Sequence, residues 1–393
     1  MERQKNEPAL RFSEYSDQWI VKCLRDVSFI GRGKSRYRPR NAQFLYNGKY
    51  PFIQTGDIRS SELYLNSFTQ TYSEEGLKQS KLWDEGTLCV TIAANIAETT
   101  ILKIKACFPD SIIGLIPKSN ETTPLFLKYQ FDKFKIDIQR MSQGIAQANL
   151  NQEKLRSIKF QFPTLLEQQK IAAFLTTVDD KIQQLSKKKT LLEQYKKGLM
   201  QQIFSRKIRF KPDRASDGDD HGNEYSDWEE KKLGEICHKK SSNISANSLE
   251  ENNGEYTIYG AIGFLKRVDF YREEAAYISI VKDGAGVGRV LMCAPKTSVL
   301  GTLDIIINNT GVDLYFLYLS LQNIEFIKYI TGSTIPHIYF RDYSKEFIEV
   351  PSLEEQTKIA NFLSAIDNKI NLVNRQLKQT RQYKKGLLQQ MFV

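Results

Sequence analysis

The sequence predicts an α+β protein made of two mixed α/β domains separated by two long antiparallel coiled-coil helices, related by a pseudo-twofold internal repeat. Three observations carry this. A 43-residue segment recurs at an offset of 188, with 21 positions from 163 to 205 identical to their mates. Each copy shows a sustained heptad of apolar residues, and each follows a segment rich in short β-branched runs.

The elements follow in chain order. Residues 1–162 form the first globular segment, 163–205 the first repeat helix, and 206–222 a linker. Residues 223–350 form the second globular segment and 351–393 the second repeat helix. In the globular parts, Leu88–Ile92, Tyr277–Val281 and Leu303–Ile307 are apolar runs of strand length, and Ile112–Ile116 is another. Phe160-x-Phe162 and Ile348-x-Val350 alternate as a strand does just before each helix. The helix starts are Thr164-x-x-Glu167 and Ser352-x-x-Glu355, which read as capping boxes. From there Ile171, Val178, Leu185, Leu192 and Leu199 repeat every seventh residue, flanked by Phe174, Ile182, Tyr195 and Ile203. The second copy offers Ile359, Ile366, Val373, Thr380 and Leu387, flanked by Phe362, Ile370, Leu377, Tyr383 and Met391. Such a stripe needs a partner, and two helices joined through a second globular segment pair most economically as antiparallel neighbours. Gly198 and Gly386 interrupt the pattern and are expected to mark close contacts or kinks. The linker Lys211–Gly222 is polar and aperiodic. Weaker echoes pair Glu14-Tyr-Ser-Asp-Gln-Trp19 with Glu224-Tyr-Ser-Asp-Trp228, Ser111–Gly114 with Ser298–Gly301, and Gly144 with Gly332.

The chain has 393 residues, 41% hydrophobic and 26% charged, which suits two to four folded units and excludes global disorder. No apolar run approaches the ~18 residues of a membrane span, and Met1–Pro8 lacks the apolar core of a signal peptide. Five scattered cysteines, at 23, 89, 107, 237 and 293, fit reduced thiols in a cytoplasm. Three dispersed histidines argue against a metal cluster.

Catalytic patterns fail on spacing. Gly31-Arg-Gly-Lys-Ser35 ends like a phosphate-binding loop, but Ser28 stands where the first glycine belongs. Gly284-Ala-Gly-Val-Gly288 has its third glycine one residue early and is expected to be a tight turn. A nuclease-like string of Pro212, Asp213, Glu229 and Lys231 places its first carboxylate in the linker. No two prolines are adjacent, which excludes the Asn/Asp-Pro-Pro-aromatic signature of amino-methyltransferases. The chain is expected to be non-catalytic by itself.

The positive signal is charge. The net charge is +10, and Arg32, Lys34, Arg36, Arg38 and Arg40 fill alternate positions of a ten-residue stretch without an acid. Lysine and arginine neutralise phosphates, and arginine also reads guanine in the major groove. With Thr55, Asp57, Gln147 and Asn149 as base-edge readers, these are the candidate DNA-binding residues of the first segment. In the second they are Lys239, Lys240, Tyr259, Lys282, Arg289, His337, Tyr339 and Arg341. The lysines of the helices (187–189, 196, 197, 384 and 385) are expected to face solvent or protein partners. A two-module protein–protein scaffold is the alternative, and it would show no salt-dependent binding to duplex DNA.

The proline-led Leu-x-Glu-Gln-x-Lys-Ile-Ala-x-Phe-Leu helix start and the Gln-Tyr-Lys-Lys-Gly-Leu ending each occur twice behind a variable segment. In this the chain resembles the specificity subunit of type I restriction–modification enzymes along essentially its whole length. The resemblance implies two target-recognition domains, each reading half of a bipartite site in double-stranded DNA. It implies paired helices that set the spacer and dock two modification (methyltransferase) subunits, with motor-nuclease restriction subunits completing the complex. S-adenosylmethionine, ATP and Mg would then sit on those partners, with no cofactor in this chain.

If the paired helices act as a ruler, the ~38 residues from Glu167 to Phe204 span roughly 57 Å. Inserting four residues near Lys187 adds ~6 Å and turns the seam by only ~40°. The methylated half-sites should then stay unchanged while their spacer lengthens by about two base pairs. A two-residue insertion rotates the seam by about 200° and should abolish stable protein. Sequencing the methylated sites decides this, and an active four-residue variant with its original spacer would refute the ruler.

Overall fold

The computed structural model describes residues 7–142, 150–213, 224–249 and 254–393. They form two compact units, one running up to Lys189 and including Val373–Val393, the other spanning Thr190–Leu372. Among the described residues, no helix is long and apolar enough to cross a membrane.

Unit one carries a five-stranded sheet in the order Ser28–Arg32, Ile112–Pro117, Leu88–Thr91, Thr99–Leu102, Tyr64–Leu65. The first four strands pair antiparallel. Leu88–Thr91 is buried along its whole length, which explains why it reads as an unbroken apolar run rather than an alternating one. Helix α1 (Pro124–Ser142) packs over this strand and Thr99–Leu102. A second sheet orders Gln70–Tyr72, Tyr46–Phe52, Ala106–Cys107 and Leu82–Trp83. Ile20–Cys23 pairs antiparallel with Lys159–Phe162, and that ribbon leads into the long helix α2 (Leu165–Phe204).

Unit two repeats this plan. Its main sheet runs Cys237–Ser241, Leu303–Asn308, Tyr277–Val281, Val290–Cys293, again antiparallel throughout. Helix α3 (Leu314–Gln322) packs on it, its first turn capped by Asp313, whose carboxylate accepts from the Tyr315 and Phe316 amides. The smaller sheet runs Gly263–Val268, Tyr256–Gly260, Thr297–Val299. Glu229–Lys232 pairs with Phe347–Val350 and leads into helix α4 (Leu353–Met391). The expected strands at 88, 112, 160, 277, 303 and 348 all form. The echo of Ser111–Gly114 in Ser298–Gly301 has no structural counterpart. The first enters the main sheet, whereas Ser298 belongs to a strand of the smaller one. Gly144 lies outside the described residues.

The long helices bury a seam with steps of four and three. In α2 it is Ile171, Leu175, Val178, Ile182 and Leu185, and in α4 it is Ile359, Leu363, Ile366, Ile370, Val373 and Leu377. The expected flanking aromatics lie off it. Tyr195 and Tyr383 are 56% and 55% exposed. Phe174 and Phe362 turn instead to Phe12 and Phe210, at ring-centroid distances of 5.9 and 5.5 Å. The physical reason is rotation. Residue 175, not 174, stands four positions after Ile171 and continues the seam, while 174 sits about 100° away around the helix.

Within each unit the helices run antiparallel, held by the same polar network. In unit one the Lys384 ammonium lies 2.7 Å from Asp179, whose other oxygen accepts from the Tyr129 hydroxyl at 2.8 Å. In unit two Lys196 lies 2.7 Å from Asp367, which also accepts from the Tyr315 hydroxyl. Burial and the adjacent carboxylate push both tyrosine hydroxyls well above their usual range. Lys196 and Lys384 are thus internal braces, a correction to the expectation that they face solvent or protein partners.

The expected capping boxes form only in half. The Glu167 and Glu355 amides donate to the Thr164 and Ser352 hydroxyl oxygens, each at 3.4 Å. Both carboxylates turn away into the interior, where their side chains are 0% exposed. Glu167 receives Arg11 through Nε and Nη2, both at 2.8 Å, and Glu355 receives Arg209 at 3.3 and 2.8 Å. The Arg11-Phe12 and Arg209-Phe210 dipeptides were the sequence signal for this, at an offset of 198 rather than 188.

Gly198 and Gly386 are not close contacts, since a Cβ built at either meets nothing within 4 Å. Gly198→Ala should therefore raise stability by about 0.5–1 kcal/mol in chemical denaturation. Arg209→Ala should destabilise unit two by about 3–5 kcal/mol, because it strands a buried carboxylate. Arg209→Met combined with Glu355→Met should recover most of that loss. A double variant as unstable as Arg209→Ala would show that the bridge acts by more than neutralising Glu355.

Candidate nucleic-acid interface

In unit one the cationic stretch leaves the edge strand Ser28–Arg32 and folds back over the turn containing Asp110. Arg32 donates through Nε to the Asp110 carbonyl at 2.5 Å, and Arg40 brackets the Asp110 carboxylate at 2.9 and 3.0 Å. The amide of Lys34 donates to the Phe108 carbonyl at 3.0 Å. Arg38 turns inward on its own loop, donating to the carbonyls of Ser35 and Tyr37 at 2.7 and 2.9 Å. All five cationic residues, Arg32, Lys34, Arg36, Arg38 and Arg40, remain exposed. The stretch is therefore a folded loop with part of its charge spent on holding itself together.

The glycines of this stretch serve packing. A Cβ at Gly31 or Gly114 would lie 2.7 Å from the Trp83 ring, and one at Gly33 would lie 2.2 Å from the Pro109 carbonyl oxygen. The resemblance of Gly31–Ser35 to a phosphate loop is thus a by-product of strand packing around a tryptophan.

Thr55 and Asp57 sit on the short helix Thr55–Ser60. Asp57 is buried and its Oδ2 accepts from the Gln54 amide at 2.8 Å. That carboxylate caps its own helix, so it is not presented as an outward base-edge reader. Beside it in sequence, Arg59 reaches Asn95 at 3.5 Å, in the connection between Leu88–Thr91 and Thr99–Leu102. Nothing in the local sequence singles out this pair. The signal lay in topology, since the same connection in unit two carries Lys282 and Arg289. Gln147 and Asn149 lie outside the described residues.

In unit two the candidates converge. Lys282 and Lys239 share the buried carboxylate of Asp304, at 3.2 and 3.9 Å, and Lys240 pairs with Glu273 at 2.5 Å. The Ile338 amide donates to the Lys282 carbonyl at 2.9 Å, joining this strand end to the segment of His337, Tyr339 and Arg341. His337 stands edge-on to Tyr339 at 5.0 Å, and the Arg341 guanidinium lies 4.9 Å over the Tyr339 ring. Arg289, on an exposed turn, donates to the Ala261 carbonyl at 2.7 Å. Tyr259 is half-buried, its hydroxyl pushed up by burial, and it faces the Ala294 amide rather than the cationic group. The Gly284–Gly288 segment is the expected turn, with a strand rather than a helix after it.

Other chemistry finds little footing. Among the described residues no group of three or more His, Cys, Asp and Glu could hold a metal ion. Four of the five cysteines are buried, and burial pushes the thiol of Cys237 to about 12 and that of Cys293 to about 11. Asp213 is engaged by Lys358 at 2.8 Å. What each unit does present is a cluster of lysine and arginine at the end of the same antiparallel sheet.

Comparison with known proteins agrees with the repeat. The protein is 23% identical to the type I restriction enzyme MjaIX specificity subunit of Methanocaldococcus jannaschii, over 94% of this chain and 91% of that one. It is 24% identical to the MjaVIII specificity subunit of the same organism, over 87% and 84%. The crystal structure of the type I restriction–modification S subunit from M. genitalium shares the fold, with a TM-score of 0.67 at 18% identity, over 98% of this chain and 99% of that one. Residues 16–194 and 225–381 each match the model of the type I restriction modification DNA specificity domain, and with both halves of its repeat so matched, the chain belongs to that family.

Proposed function

We propose that this chain is the DNA-recognition subunit of a type I restriction–modification complex, in which each unit reads one half of a bipartite site. The observation that carries the reading is the duplication. Two units of one sheet topology each place a lysine- and arginine-bearing strand, Ser28–Arg32 with its following loop or Cys237–Ser241, at the same sheet edge. Two such modules in one chain match the pseudo-symmetry of a duplex read at two half-sites. Charge of this kind supplies affinity and orientation, and a smaller set of side chains supplies base choice.

The repeated helices are the surface for two modification subunits. Their exposed faces carry Lys187, Lys188, Tyr195 and Tyr383, outside the seam and the Lys–Asp–Tyr braces. S-adenosylmethionine belongs to those subunits, and ATP with Mg to the motor-nuclease subunits. This chain supplies specificity rather than a reacting group.

The test is reconstitution. The purified chain should bind duplex DNA with an affinity that falls steeply with salt, and should transfer no label from S-adenosylmethionine. Adding its modification subunits should switch methylation on at a two-part motif. Exchanging residues from about 20 to 150 for those of another family member should change one half of that motif only. Binding that ignores salt, methyl transfer by the chain alone, or both halves changing together would each contradict the proposal.

A further inference from the structure

Three turns meet at one end of the main sheet of unit two. The middle one, Lys282–Arg289, links Tyr277–Val281 to Val290–Cys293, with Gly284, Gly286 and Gly288 at φ of +82, +89 and +83°. On one side Arg289 donates to the Ala261 carbonyl at 2.7 Å, in the turn of the hairpin formed by Tyr256–Gly260 and Gly263–Val268. On the other side the Gly284 amide donates to the Pro336 carbonyl at 2.9 Å. Pro336 lies in a loop closed by reciprocal backbone bonds between Thr331 and His337, of 2.9 and 2.8 Å. Gly332 permits that closure, at φ +87°, where a Cβ would lie 2.4 Å from the Ile335 carbonyl oxygen.

Each flanking turn displays an isoleucine. Ile262 is 82% exposed and Ile335 is 63% exposed. Neither belongs to the cores of this unit. Both sit on short turns pinned to the same cationic connection. An isolated exposed isoleucine needs no explanation. Two of them on turns tied to one connection, Ile262 next to the Ala261 that Arg289 grips and Ile335 next to the Pro336 bound by Gly284, form a mixed apolar and cationic tip. The nearby acids are largely answered from within, since Asp304 holds Lys239 and Lys282 and Glu273 holds Lys240, and Asp283 lies in the connection itself.

We infer that Ile262 is an apolar wedge that enters a groove of duplex DNA and presses between two base pairs, with Ile335 as a second apolar contact on the far side of Arg289. The inference rests on the DNA-recognition reading above and deepens it for the half-site of unit two. Architectural DNA-binding proteins use Ile, Leu and Phe in this way, unstacking a step so that the neighbouring cations close on the backbone. Arg289, exposed and donating to a backbone carbonyl, supplies the charge complementarity to phosphate that a protein partner's apolar patch would not require. Flexible pyrimidine–purine steps unstack most readily, so the wedge would favour one of them at a position that no hydrogen bond reads.

The test uses the full chain co-purified with its modification subunits and a duplex carrying the mapped motif, with 2-aminopurine placed at successive positions of each half-site. Beyond the bases that the modification subunits flip out for methylation, the wild type should raise 2-aminopurine fluorescence at one further step, in the half-site read by unit two. Ile262→Ala should abolish that rise and weaken specific binding by about tenfold. The salt slope should stay unchanged, because no phosphate contact is lost. Ile335→Ala should weaken binding less, and Ile327→Ala, which alters an exposed isoleucine of the same unit on the turn Phe326–Tyr329, should have no effect. Tight binding by the wild type with no fluorescence rise at any position other than the flipped target bases would overturn the wedge and leave the DNA reading standing. Absence of duplex binding by the wild-type complex would overturn both. Ile262→Ala protein that binds the duplex normally but no longer holds its modification subunits would overturn the wedge by making the tips a protein interface.

Discussion

A fully buried carboxylate stands at the first turn of each long helix, and much of each unit is arranged to make it tolerable. Placing an ionised glutamate in the interior without a partner is prohibitively unfavourable. Arg11 and Arg209 resolve this as two-point bridges, and in doing so they fix where the chain must pass before the first strand of each unit. Arg11 also donates to the Asp17 carbonyl and Arg209 to that of Ser226, so each opening segment is tied down a second time. The tryptophans that follow then reach the end of the opposite helix, Trp19 against Phe392 and Trp228 against Phe204. One ionic requirement thus orients a helix start, a helix end and a domain opening together.

The same logic governs the helix pairing. An apolar seam alone tolerates a slide by one heptad, because every seam position is chemically alike. The Lys196–Asp367–Tyr315 and Lys384–Asp179–Tyr129 groups break that degeneracy. A slipped register would leave these partly buried charges without partners, and polar groups in a seam are known to specify register at some cost in stability. The tyrosines bring α1 and α3 into the same arrangement. The recognition sheets are therefore positioned relative to the helix that anchors them by hydrogen bonds as well as by packing.

The two units differ in the connections of their main sheets. The main sheets share strand order, yet the connection after the central strand is Ile92–Glu98 in one unit and Lys282–Arg289 in the other. In the first, Ala94 and Ala97 adopt left-handed conformations, while in the second three glycines do. One sheet scaffold thus carries turns of different sequence and conformation at the same end.

The sequence by itself determined the duplication, the helices and the strand segments, because each rests on local periodicity. A seven-residue stripe, a proline-led helix start and an all-buried β-branched run are written into consecutive residues. It also made the basic character and the missing catalytic spacings legible. What only the tertiary structure decided were pairings between distant residues. Nothing local announces that Glu167 will abandon its capping box for Arg11, that Leu175 rather than Phe174 continues the seam, or that Lys384 will face Asp179. The same holds for the candidate interface. Arg32, Lys34, Arg36, Arg38 and Arg40 read alike as phosphate-binding cations, yet Asp110 and backbone carbonyls engage Arg32, Arg38 and Arg40, and Asp57 is consumed by its own helix. Charge is a property of composition, but its availability depends on which acid the fold brings within 3 Å of it.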